Sequence, residues 1–263
     1  MRRERLDKIL AGAGAGSRSD VKKLIRAGRV TVNGEKALRP EIKADPAVDE
    51  ILADGRRIAP EGERWFMLHK PAGVVSAVRD AKEKTVLDLI APGDRRWLFP
   101  VGRLDKDTTG LLLLTDDGAL AHRLLSPRRH VDKIYLVRCR EEIPPETAGR
   151  FLEGLDIGDE KKTLPAVLED IQGNTCRVTL REGRYHQVKR MFAADGNEVT
   201  GLHRLAMGGL FLDEDLKPGT ARRLTPEELA QLRQAAGPRD DADGPEEAAE
   251  FETEESTEAD VEE

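Results

Sequence analysis

The sequence predicts an α+β protein in two folded parts. Residues 1–60 form a small basic unit of two helices and a short sheet. Residues 61–236 form a larger unit built on a mainly antiparallel sheet with flanking helices. Three observations carry this reading. Apolar residues recur at helical spacing twice before Gly28, and an Asn33-Gly34 turn signal follows. Beyond residue 60, short apolar runs bounded by Gly, Pro and Asp-Gly mix with helical patterns, and many follow one another as strand–turn–strand pairs. Charge divides along the chain: against a net charge of -7, residues 237–263 hold -12, residues 1–59 hold +5, and residues 60–236 balance.

In the first unit, Leu6, Ile9 and Leu10 mark a helix that the run Gly12 to Gly16 breaks. Ser17 to Asp20 supply capping residues, Val21, Leu24 and Ile25 repeat the helical spacing, and Gly28 fits the position just past the helix end. Arg29 to Val32 reads as a strand entering the Asn33-Gly34 turn. A further strand is expected around Glu50 to Leu52, before Asp54-Gly55. Arg18, Lys22 and Arg26 fall at i, i+4, i+8 on the second helix, and Arg5 and Arg29 add to that basic stripe. A solvated face explains such a stripe as well as a phosphate-binding one does. The glycine run lacks the strand–helix context and spacing of a dinucleotide loop and reads as a helix–helix connection.

The second unit opens with a strand, Trp65 to Lys70, stopped by Pro71. Thr85 to Ile90 reads as a short helix. Trp97 to Leu104 reads as a strand leading into a polar loop, Asp105 to Gly110. Leu111 to Leu114 is a continuous apolar run, expected to be a buried strand. Ala119 to Leu125 is helical, Lys133 to Arg140 a strand, and Pro144 starts a helix running to about Leu155. Strands follow near Ala166 to Ile171 and Thr175 to Leu180. Val188, Met191 and Phe192 mark a helix ended by Gly196, and Thr225-Pro226 starts the last one. Residues 237–263 carry Phe251 and Val261 as their only large apolar side chains and are expected to be disordered.

Several function classes are excluded or weakened. No apolar run approaches the ~20 residues of a membrane helix, and the charged N-terminus lacks a secretory h-region. Cys139 and Cys176 form neither a disulfide framework nor a C-x-x-C pair, which points to a reducing cytoplasm. His69, His122, His130, His186 and His203 show no zinc spacing, and neither a Walker A loop nor a G-x-S-x-G elbow is present.

Two polar clusters remain. Gly102-Arg103-Leu104-Asp105-Lys106-Asp107-Thr108-Thr109-Gly110 lies between apolar strands, where a rigid scaffold can present a carboxylate. Spacing alone favours the plainer role of turn or cap acceptor for Asp105 and Asp107. Gly183 to Phe192 places His186 and Lys189 on one helix face, with Arg184, Arg190 and Tyr185 beside them, a pattern suited to phosphate and base contacts. A solvated basic face is equally compatible with it. Tyr135, mid-strand, reads most simply as a core tyrosine.

Together these stretches resemble the RsuA/RluB family of bacterial ribosomal pseudouridine synthases. The matching segments are Gly102-Arg103-Leu104-Asp105 with Thr108-Thr109-Gly110-Leu111-Leu112 and Thr115-Asp116-Asp117-Gly118; His69-Lys70-Pro71-Ala72-Gly73-Val74; Lys133-Ile134-Tyr135; and Glu182 to Phe192. The first 60 residues resemble the S4 RNA-binding module, an αL-like fold, that usually precedes them. The form His186-Gln187-Val188-Lys189-Arg190-Met191-Phe192 is most similar to the branch that modifies small-subunit (16S) rRNA. Large-subunit branches usually carry Asn-Arg-Gln/Glu-Val-Arg-Arg there. The resemblance covers residues 4–232, and the acidic tail is no part of the family pattern.

The resemblance implies an S4 domain over 1–60, a pseudouridine synthase domain over 61–236 and no cofactor. It implies Asp105 as nucleophile, Tyr135 as stacking and proton-transfer residue and Lys189 as the basic residue that pairs with Asp105. Arg103, Thr108, Arg184, His186, Gln187 and Leu202 are expected to meet the substrate nucleotide. Arg5, Arg18, Lys22, Arg26 and Arg29 are expected to hold RNA. The expected partner is ribosomal RNA, free or in a subunit-assembly intermediate, met by a monomer in the cytoplasm. The alternatives are a 23S large-subunit target, a non-catalytic S4-type assembly protein and an aspartate-nucleophile hydrolase.

Overall fold

The computed structural model describes residues 4–13, 15–45, 49–58, 64–95, 98–129 and 131–238. The expected domain boundary at residue 60 and nearly all of the acidic tail lie outside the described residues.

The first unit contains strand β1 (Glu4–Arg5), helices α1 (Leu6–Gly12) and α2 (Arg18–Arg26), and strands β2 (Val30–Val32), β3 (Glu35–Lys36), β4 (Lys43–Ala44), β5 (Ile51–Ala53) and β6 (Arg56–Arg57). Ser17 caps α2 in a reciprocal box with Asp20, satisfying helix-end N–H groups. Asn33 (φ 52°) and Gly34 (φ 84°) take the left-handed conformation that a two-residue hairpin turn requires between β2 and β3. The sheet order is β3-β2-β5-β6, all antiparallel, while β1 and β4 pair separately. Leu6, Leu10, Val21, Ile25, Val30 and Ile51 form this unit's own core. The helical spacings seen in the sequence therefore do bury one face of each helix.

The second unit follows in chain order: β7 (Trp65–Lys70), β8 (Phe99–Pro100), β9 (Thr109–Thr115), α3 (Gly118–Leu125), β10 (Lys133–Cys139), α4 (Thr147–Glu153), β11 (Val167–Gln172), β12 (Thr175–Leu180), α5 (Gln187–Ala194), β13 (Val199–Met207), β14 (Leu210–Phe211), β15 (Ala221–Arg223) and α6 (Pro226–Ala235). Its sheet runs β11-β12-β10-β13-β9-β7-β15, with β14 on β13 and β8 on β9. Only the β9–β13 pairing is parallel among these strands. The expected mainly antiparallel α+β architecture is the one observed.

The unbroken leucine run has a direct explanation. Leu112 and Leu114 join Phe66 and Leu68 in one core, whereas Leu111 and Leu113 join Trp65 and Met67 in another on the opposite face. A strand covered on both faces reads as continuously apolar. Elsewhere the sequence expectation needs correction. The strand expected over 97–104 shrinks to Phe99–Pro100 among the described residues, because the chain bends into the polar loop. The segment expected as a helix over 85–90 is a 3-10 turn, Val86–Leu89. The nine-residue β13 was not anticipated, although it joins the two halves of the sheet.

Candidate active site

The loop 101–108 is held from below by a buried lysine. Lys70 ends β7 on the face shared with Phe66 and Leu68 and is 0% exposed. Its Nζ donates to the carbonyls of Asp105 (3.0 Å), Thr108 (2.8 Å), Lys106 (3.3 Å) and Pro71 (3.2 Å). Ser76 Oγ donates to Leu104 O at 2.8 Å, and Gly73 N donates to Lys106 O at 2.8 Å. The loop's carbonyls thus point inward to fixed donors. Burial pulls the Lys70 ammonium down to about 8, against the opposing pull of Asp107 and Asp105. This residue carried no role in the sequence reading, yet its signal was there: a lysine on the inward side of an apolar strand.

Gly110 closes the loop where β9 meets β13. At φ 105° it occupies backbone space unfavourable to other residues, and a Cβ there would stand 2.3 Å from Arg204 O. Only glycine lets the two strands approach this closely.

Above the loop, α5 supplies the counter-charge. Lys189 Nζ lies 2.9 Å from Asp105 Oδ2, and also 2.7 Å and 3.0 Å from the two oxygens of Asp107. His186 Nε2 stands 3.4 Å from Asp105 Oδ1. Burial opposes the Lys189 charge, but the bonds to Asp107 and Asp105 outweigh it and raise the ammonium above the ordinary lysine value. Asp107 is held below the usual carboxylate range, chiefly by the hydrogen bond from Lys189. Asp107 is therefore no turn acceptor, the role its spacing suggested; it is a second partner of Lys189, with a side chain 73% exposed.

One apolar cluster holds the expected tyrosine and the residues that precede the expected aspartate and lysine. It contains Leu104, which precedes Asp105, Tyr135 at 8% exposure in the middle of β10, and Val188, which precedes Lys189. Leu202 packs against the same cluster from β13, paired in register with Val137. Asp105 and Lys189 remain about a quarter exposed, so the carboxylate is presented at the edge of this cluster rather than inside it.

The remaining site expectations divide. His186 and Arg103 lie at the surface of the site, Arg103 exposed on the loop. Thr108 and Gln187 are buried, at 1% and 4% exposure. Thr108 donates its N–H to Asp105 O at 3.1 Å. Gln187 accepts from Arg184 N at 2.9 Å and donates to Glu182 Oε1 at 2.7 Å, fixing the turn before α5. The Arg184 guanidinium is engaged with Glu182, Asp159 and the carbonyls of Lys161 and Lys162, so it braces a loop instead of reaching outward. In the first unit, Arg5 is bidentate to Asp7 at 3.0 and 2.8 Å, and Arg29 to Asp54 at 2.5 and 2.6 Å. Those two charges are neutralised locally. Arg18 and Arg26 are exposed on α2, with Lys22 half-buried between them.

A basic helical module ahead of an α+β sheet that presents a lysine-paired aspartate fits a class: enzymes that act on a polynucleotide. Comparison with known proteins places the chain within that class. Residues 64–194 match the RNA pseudouridylate synthase family, and residues 4–47 match the S4 domain. The chain is 46% identical over 235 residues to an uncharacterised RNA pseudouridine synthase of Bacillus subtilis, spanning 88% of this chain and 98% of that protein. It is 46% identical over 230 residues to ribosomal small subunit pseudouridine synthase A of Escherichia coli, spanning 87% and 99%. A crystal structure of a pseudouridylate synthase superimposes with a TM-score of 0.66 at 39% identity, over 87% of this chain and 99% of that one. The chain belongs to the RNA pseudouridylate synthase family, a family of isomerases, and carries an S4 domain ahead of the catalytic one.

Proposed function

We propose that the protein isomerises a specific uridine of 16S rRNA to pseudouridine, with Asp105 as the nucleophile. The observation that carries the reading is the Asp105–Lys189 pair at 2.9 Å on a loop whose carbonyls are fastened by buried Lys70. The full-length likeness to small-subunit pseudouridine synthase A supports the choice of 16S over 23S rRNA.

The reaction breaks the N1–C1′ bond, turns the uracil and joins C5 to C1′; the C5 proton leaves and N1 takes up a proton, so the formula is unchanged. The target uridine must first leave its stack to reach the carboxylate. Lys189 holds the Asp105 carboxylate aimed while water is displaced. Asp105 then opens the rearrangement by covalent catalysis, at C1′ or at the base. Tyr135 covers the base and handles the proton at C5, and Leu202 forms part of the apolar floor. None of these steps calls for a redox change or an activated co-substrate, which fits a chain acting without a cofactor. The S4 domain docks the rRNA, free or in an assembly intermediate, and the enzyme works as a cytoplasmic monomer.

Base-resolution mapping of pseudouridine in 16S and 23S rRNA, from cells with and without this protein, tests the assignment. The expected result is one 16S position that loses the modification. Loss at a 23S position instead would move the substrate to the large subunit, and no change in either would remove the rRNA reading.

A further inference from the structure

The turn that carries His186 also presents Tyr185, whose side chain is 76% exposed, more than any other large apolar or aromatic side chain among the described residues. Its ring stacks on the His186 imidazole, with centroids 3.8 Å apart and planes 20° apart. His186 Nε2 stands 3.4 Å from Asp105 Oδ1. The stack therefore starts at the carboxylate and ends at a tyrosine ring open to solvent.

This turn is braced along its length. Tyr185 O accepts from Arg190 Nη1 at 3.2 Å, Gln187 bonds Arg184 N, and Arg184 clamps the carbonyls of Lys161 and Lys162 at 2.6 and 2.8 Å. His186 sits at φ 48°, ψ 32°, a left-handed backbone state unfavourable for a residue with a β-carbon. Strain of this kind persists only where surrounding bonds hold it in place, and it concentrates at ligand sites. The nearby cations are committed elsewhere: Lys189 to Asp105 and Asp107, and Arg190 to Asp159 and the Ile157 carbonyl. A ligand reaching this corner meets a preorganised aromatic face more than an ionic one.

We propose that Tyr185, backed by His186, is a stacking subsite for the nucleobase next to the target uridine. Turning the target out of its stack leaves that neighbour with one bare face. The tyrosine ring replaces the lost partner, and does so for any base, since every base offers a π-face. This assignment rests on the RNA pseudouridine synthase reading of the site.

The test compares Tyr185→Ala, Tyr185→Phe and Tyr185→Trp with the parent enzyme, using tritium release from a C5-tritiated 16S rRNA transcript. For Tyr185→Ala, the RNA concentration at half-maximal rate should rise roughly ten- to hundredfold, the range that stacking one base on one ring supplies. Saturated turnover should stay within about twofold, and the salt dependence of binding should keep its slope, because no phosphate contact is lost. The Phe and Trp variants should behave like the parent. Unchanged half-saturation in Tyr185→Ala would overturn the subsite. So would a Phe variant as weak as the Ala variant, which would assign the effect to the hydroxyl, or a loss confined to saturated turnover. Absence of release by the parent enzyme would instead reject the underlying reading, which keeps the two failures distinct.

Discussion

Lys189 divides one ammonium between Asp105 at 2.9 Å and Asp107 at 2.7 Å, and the two carboxylates differ sharply in exposure, 26% against 73%. Solvent screens the outer pair, so its contribution belongs with surface ion pairs, below about 1 kcal/mol. Asp107→Asn should therefore lower turnover by only about two- to fivefold. Lys189→Met strands the inner carboxylate without its donor and should cost on the order of a hundredfold. Single-turnover rates on the same rRNA transcript would check both, and a larger loss for the Asp107 variant would reverse the assignment.

Lys70 supplies a pH prediction at the same scale. Its folded-state pKa of about 8 lies below the free lysine value, which is about 10.4. Between those values the unfolded chain binds the proton more tightly, so this group adds global stability as pH rises through the window. The loop responds in the opposite sense, because a neutral amine has fewer N–H donors for its four carbonyl acceptors. Turnover should fall as pH rises through about 8, while Lys70 itself causes no loss of melting temperature there. A rate that stays flat to about pH 9.5 would contradict this.

At the scale of elements, α2 carries the basic stripe proposed to meet RNA. Arg5 and Arg29 are tied to Asp7 and Asp54, whereas Arg18 and Arg26 stand exposed along α2 beside Lys22. Changing Arg18, Lys22 and Arg26 together to Glu should raise the half-saturating rRNA concentration and reduce the magnitude of the salt slope by about two. Saturated turnover should be preserved. Normal rRNA binding by that variant would reduce the stripe to a solvated face.

The elements also mark where sequence reading succeeded and where it stopped. Helical spacing at Val21, Leu24 and Ile25, the Asn33-Gly34 turn and the leucine run of β9 each report a local constraint, and all were legible. Strand β13 was not. Val199-Thr200-Gly201-Leu202-His203-Arg204 mixes polar residues and glycine, because those positions border the site and a close strand crossing at Gly110 rather than a uniform core. Its two long partners, β9 and β10, are distant in the chain, and local pattern carries no trace of them. Asp105 and Lys189 were legible as a pair only through family resemblance, since 84 positions of sequence separate residues that the fold places 2.9 Å apart. Of the expected substrate contacts, Gln187 and Arg184 are hydrogen-bonded to the scaffold, and Thr108 is buried. A polar residue beside a catalytic one is as often part of its support, and hydrogen bonding to the scaffold decides which.

For the molecule as a whole, docking and chemistry occupy separate units, each with its own core. In the proposed function, the S4 domain brings a cationic helix to the RNA. The synthase domain uses a two-sided sheet to hold one loop and one helix against each other, so that a carboxylate and its lysine meet at 2.9 Å, while Tyr135 lies in the apolar cluster to which Leu104 and Val188 belong. This division predicts that chemistry fails independently of binding when the nucleophile is altered. Asp105→Asn preserves size and hydrogen-bonding capacity but removes the nucleophilic charge. Tritium release from C5-labelled 16S rRNA, measured with saturating Asp105→Asn enzyme alongside an RNA-binding titration, tests that claim most directly. The account predicts no release above background with rRNA affinity unchanged; substantial release by Asp105→Asn would contradict it.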